Sequence, residues 1–122
     1  MPVDVRKLIF SKKELRLTFQ RFCLDQSMNV PDGPVEDILV VEDIPDEVRV
    51  ILNYPTDNPS NPVRVHLRHD QIMEALLGFC RALKIPVPRQ AQKHLHKHGE
   101  GLAVTIGMSE QDMLAARHNA RR

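Results

Sequence analysis

Residues 68–88, RHDQIMEALLGFCRALKIPVP, can be laid over residues 11–31, SKKELRLTFQRFCLDQSMNVP, at a constant offset of 57. Phe22-Cys23 then falls on Phe79-Cys80, and Val30-Pro31 on Val87-Pro88. The apolar frame agrees as well: Leu15, Phe19 and Met28 meet Ile72, Leu76 and Ile85. Only four of 21 positions are identical, but the chain has just two cysteines and both land in register. Self-similarity at one spacing is the mark of a repeated supersecondary unit, so it comes before any other reading of the fold.

Each copy predicts a helix. Leu15, Phe19, Phe22 and Cys23 recur at i, i+4, i+7 and i+8, as do Ile72, Leu76, Phe79 and Cys80, which puts each set on one helix face. Ser11 with Glu14 has capping-box spacing, and Asp70 is the expected N-cap of the second helix. Pro31 stops one helix; Pro86 and Pro88 stop the other. Behind each helix the pattern changes to alternation. ILVVE and VRVILNY flank the turn DIPDE, and KHLHKH and LAVTI flank GEG, so each reads as a hairpin. The hairpins align at an offset of 54. Ahead of each helix lies one more short strand, VRKLIF (5–10) and VRVHL (63–67).

The expected fold is therefore α+β: two β-α-β-β units, about 3–53 and about 63–106, that share one core as an internal pseudo-repeat with twofold character. YPTDNPSNP (54–62), with three prolines, is the linker. A C-terminal helix is expected at about 109–119, starting at Ser109 with Asp112 three residues on, before a fraying basic end. At 122 residues this is a single domain, long enough for a core without disulfide or metal. Aromatic residues are 4% with no Trp, so the core is aliphatic and a base-stacking platform is not expected.

No apolar run is long enough to span a bilayer, and the first residues carry acid and base ahead of any apolar stretch, so neither a membrane span nor a signal peptide is expected. Cys23 and Cys80 lie inside helical patterns and read as reduced thiols of a cytoplasmic protein.

The net charge of +1 conceals a division. Residues 1–62 hold 7 Lys+Arg against 11 Asp+Glu; residues 63–122 hold 10 against 5 and carry all six histidines. Residues 32–47 contain seven acids and no base, and residues 81–97 contain Arg81, Lys84, Arg89, Lys93 and Lys97 and no acid. Such polarity bears on association and steering rather than on fold.

The stretch from Leu76 to Ile106 resembles a pattern found in short uncharacterised bacterial proteins, chiefly alphaproteobacterial. In it a helix with a cysteine near its end leads to Ile-Pro-x-Pro-Arg, a Lys-x-Leu strand, a Gly turn and a Leu-Ala-x-x-Ile strand. The matching residues are Ile85, Pro86, Pro88, Arg89, Lys93, Leu95, Gly99, Leu102, Ala103 and Ile106. The resemblance covers about a quarter of the chain and implies a hairpin over 93–106 and no assigned activity.

Three residue groups could carry chemistry. His94, His96 and His98 alternate, so a strand turns all three to one face, where imidazoles can hold Zn²⁺, Ni²⁺ or Cu²⁺. Neighbours on one face of a straight strand are nearly 7 Å apart, however, and converge poorly on one ion. The opposing reading is a solvated edge strand whose Leu95 alone is apolar on the other face. Cys23 and Cys80 sit on apolar stripes and read as buried small hydrophobes rather than nucleophiles. The five bases near the end of the second helix either complement its dipole or form a patch for phosphate or a carboxylate-rich partner, for which the acidic run is an in-molecule or in-dimer counterpart. Motifs for nucleotide binding or a nucleophile elbow are missing, and the paired acids Glu42-Asp43 and Asp46-Glu47 flank a turn. The sequence thus reads as a non-catalytic interaction module without cofactor. It binds a protein partner or forms a homo-oligomer through the basic 81–97 surface or a sheet edge. Nucleic-acid or phosphate binding by the same bases is the second reading, and a metal-dependent site at His94, His96 and His98 the third.

Overall fold

In the computed structural model, residues 3–109 are described, apart from residues 32, 46, 58, 59 and 90. The elements run β1 (Val3–Phe10), α1 (Lys12–Asp25), β2 (Asp37–Ile44), β3 (Glu47–Tyr54), β4 (Val63–Leu67), α2 (His69–Ala82), β5 (Gln92–His98) and β6 (Gly101–Ser109). The order β-α-β-β occurs twice, as the sequence predicts, and the class is α+β. The helix expected at 109–119 lies outside the described residues, save for Ser109, the last residue of β6.

Strand pairing crosses between the halves. The strands form two antiparallel sheets, ordered β1-β6-β5 and β2-β3-β4. The first strand of each half adds to the hairpin of the other: Phe10 stands opposite Leu102, and Leu67 opposite Val50. β5 of one sheet lies against β2 and β3 of the other. There the Lys97 amide donates to Glu42 Oε2 at 2.8 Å, which satisfies one backbone group on an edge strand.

Alternation along the strands sends Ile38, Val40, Val48, Val50, Leu52, Leu67, Leu95, Leu102, Val104 and Ile106 inward. They meet Leu15, Phe19, Phe22 and Cys23 of α1 and Ile72, Leu76 and Cys80 of α2 in one contiguous core. Phe10 and Phe79 cross edge to face, with ring centroids 5.8 Å apart.

The helix ends follow from local chemistry. Ser11 Oγ accepts from the Glu14 amide at 3.2 Å, while Glu14 Oε1 accepts from the Ser11 amide at 3.0 Å, completing the capping box. In α2 the N-cap is Arg68, not Asp70, because Gln71 Oε1 takes the Arg68 amide at 2.9 Å and fixes the helix start two residues earlier. Asp70 sits in the first turn, where a negative charge suits the helix dipole, and pairs with Arg68.

Both C-termini close in the same way. The amides of Met28 and Ile85 donate to the carbonyls of Cys23 and Cys80, and those of Ser27 and Lys84 donate to Leu24 and Arg81. These are the two bonds of a Schellman motif. It puts Ser27 at φ 53° and Lys84 at φ 58°, in the left-handed region that disfavours a side chain. Ser27→Gly and Lys84→Gly are each expected to raise stability by about 0.5–1 kcal/mol, the relief of Cβ strain exceeding the entropy of the added glycine. Chemical denaturation measures this; midpoints that fail to rise in both variants would refute it.

Candidate functional site

The basic connection from α2 to β5 is held by its own backbone. Ile85 and Val87 lean on the core as the chain leaves the Schellman turn. Arg6 Nη2 donates to the Pro86 carbonyl at 3.2 Å, and the Ala91 amide to the Pro88 carbonyl. Lys93 Nζ turns back onto the carbonyls of Arg89 and Ala91, at 3.3 and 3.2 Å. Of the five bases singled out in sequence, Lys93 therefore has a structural task, half-buried against its own loop. Arg81, Lys84, Arg89 and Lys97 are exposed.

These four form no ion pair among the described residues, a condition they share with exposed Lys7, Lys13 and Arg64. The ion pairs among the described residues are Lys12–Asp37, Arg21–Asp25, Arg49–Asp43 and Arg68–Asp70. Within the acidic run, Asp37 and Asp43 pair with Lys12 and Arg49, and Glu42 accepts the Lys97 backbone amide. The hydrogen bond from Lys12 holds the Asp37 carboxyl below its usual range, and Arg49 does the same to Asp43.

β5 places His94, His96 and His98 on the face opposite buried Leu95, so the alternation is as read. His94 and His98 are exposed. His96 is half-buried, with Nε2 2.9 Å from Thr105 Oγ1 on β6. Among the described residues, no three His, Cys, Asp or Glu side chains stand close enough together to hold a metal ion. A different histidine has a fixed role: His69 Nδ1 accepts the Val48 amide at 3.0 Å, tying the start of α2 to β3. The bond requires Nδ1 unprotonated, so neutral His69 carries its proton on Nε2.

Cys23 and Cys80 are free thiols in the core, and burial pushes both above their usual range, the opposite direction from an activated thiolate. Tyr54, on β3 beside Cys23, is equally enclosed. Burial lifts its phenol to about 12, and its oxygen has the thiol as polar neighbour and no nitrogen or oxygen partner among the described residues.

One feature escaped the sequence reading: an open groove of about 540 Å³ between α1 and α2. Phe22, Ala75, Gly78 and Phe79 line its floor, and Leu17, Arg21, Asp25, Glu74 and Arg81 border it. The signal was present as Leu17 and Leu24, leucines seven residues apart on α1 that lie off the core stripe and stand exposed. No helix among the described residues is long and apolar enough to cross a membrane. Comparison with known protein families, with curated proteins and with solved structures finds no match to this chain.

Proposed function

We propose that the chain is a small non-catalytic interaction module that binds an acidic protein surface through Arg81, Lys84, Arg89 and Lys97. The observation that carries this reading is clustering: four exposed bases with no ion pair among the described residues fall within residues 81–97, a run without an acid, whereas Asp37, Glu42 and Asp43 are ion-paired or hydrogen-bonded within the molecule. The connection that presents them is anchored at Arg6, Ala91 and Lys93, so little order is lost when a partner binds. Nucleic acid is the second reading, because the same bases suit phosphate. The near-neutral net charge of +1 and a pI of about 7.9 favour the protein partner. A cytoplasmic location is part of the proposal and rests on the two unpaired thiols.

Fluorescence anisotropy tests the reading with a labelled Glu/Asp-rich peptide and a labelled DNA duplex, each titrated from low to physiological salt. Peptide binding that weakens roughly tenfold in the Lys84→Glu/Arg89→Glu variant is expected, about 1.4 kcal/mol. Tighter binding to the duplex with a steep salt slope selects the nucleic-acid reading, and binding to neither probe refutes both.

We further propose that the two halves are an internal duplication. In its support, the offset of 57 aligns β4 with β1, α2 with α1 and both Schellman turns. The pairs Ile38↔Leu52 and Leu95↔Val104 extend it to β2 and β5. For β3 and β6, the partners of Leu67 and Phe10 give an offset of 52 in place of the 54 read from sequence. The difference arises at the hairpin tips. The first runs on past a bulge between Val41 and Ile44 to the pair Ile44↔Glu47, while the second ends sooner, at His98↔Gly101, and turns at Gly99, whose φ of 59° glycine adopts without strain.

A further inference from the structure

We infer that the chain forms a reversible twofold dimer through its helical layer, the exposed leucine ridge of α1 in one copy seating in the α1–α2 groove of the other. α1 is apolar on two opposite sides. Its core stripe is Leu15, Phe19, Phe22 and Cys23, and the outward side carries Leu17 at 65% exposure and Leu24 at 62%. Counted from their N-caps, the same two positions of α2 are Glu74 and Arg81. α1 therefore presents two leucines outward, of which Leu17 also borders the groove, and α1 and α2 share the charged rim around a shallow floor at Gly78. Ridge into groove is how helices pack. A twofold axis uses the match twice, since each copy owns both halves of it.

Charge selects a second copy as the occupant. The rim holds two bases, Arg21 and Arg81, and two acids, Asp25 and Glu74. Glu74 and Arg81 form no ion pair among the described residues. A patch balanced in this way is complementary to itself. A strongly acidic partner, or nucleic acid, seated in the groove would meet like charge at Asp25 and Glu74; of the bases in the proposed protein-binding surface, Arg81 lines the groove and Lys84, Arg89 and Lys97 do not.

Size sets the strength. A helix of 14 residues is about 21 Å long, so two side by side cover on the order of 400 Å² per copy. A stable complex buries about 800 Å² per partner, which places this dimer at the weak, concentration-dependent end.

Sedimentation equilibrium on the whole chain tests the inference. The wild type is expected to pass from one chain to two as its concentration rises from about 1 µM to about 1 mM, the range of a weak interface. Leu17→Glu/Leu24→Glu should raise the dissociation constant at least tenfold. Both sites are solvent-exposed, so an unchanged circular dichroism spectrum and melting temperature are expected alongside. Lys84→Glu/Arg89→Glu, which alters the proposed protein-binding surface outside the groove, should dimerise like the wild type. A wild type that stays a single chain throughout, or a leucine variant that dimerises undiminished, overturns the inference.

Discussion

Gly101→Ala is expected to destabilise the protein by about 3 kcal/mol or more, although it adds a single methyl group. A Cβ built at Gly101 would lie 2.3 Å from the Phe10 carbonyl oxygen and 3.4 Å from the Phe10 carbonyl carbon. Those are backbone atoms, so no side chain can swing aside. Relief requires β1 to move away from the start of β6, where Phe10 pairs with Leu102 and the chain turns into α1. Folded domains hold only about 5–15 kcal/mol in total, so this variant sits near the limit of what the fold tolerates. Gly99→Ala, two residues earlier, is the control. Its φ is also positive, but no heavy atom stands within 4 Å of the added carbon, so the cost should stop at about 1–2 kcal/mol of backbone strain. Equal losses in denaturant melts of the two variants would show that close approach to Phe10 does not set the cost at Gly101.

Phe19→Ala and Leu76→Ala are each expected to cost about 3–5 kcal/mol, through lost transfer energy and the cavity left behind. Both side chains are fully enclosed, on facing stripes of α1 and α2 in the shared core. At the entropy of unfolding usual for a domain of this size, that lowers the melting temperature by roughly 10–20 °C. Because the core is continuous, either variant should melt in one transition, with strands of both halves lost together. A two-step melt, with one half surviving, would contradict a common core.

Much of the architecture was legible in the sequence because it rests on short-range pattern. The helix stripes, the hairpin alternation and the linker prolines depend only on which residue types recur at which spacing. The swapped first strands were not legible. β1 and β4 carry the same alternation whichever hairpin they join, and nothing local distinguishes an intra-unit partner from an inter-unit one. The cap of α2 was misplaced because acidic residues are frequent N-caps, whereas here Gln71 reaches back to Arg68. At the candidate site, the bases stood out as a run, but their different tasks did not. That Lys93 is occupied by its own loop depends on where the Arg89 and Ala91 carbonyls point. The groove was hidden because it needs two helices side by side, and one helix at a time shows only a stray pair of leucines.

The exchange of first strands also sets a schedule for synthesis. Val3–Phe10 leaves the ribosome about 90 residues before the strand it will pair with. At about 5–20 residues per second it waits on the order of 5–20 s, an exposed ribbon with no mate. During that interval Arg6 and Lys7 are its guard against sticking to neighbouring nascent chains, since charge on an unpaired strand discourages edge-to-edge addition.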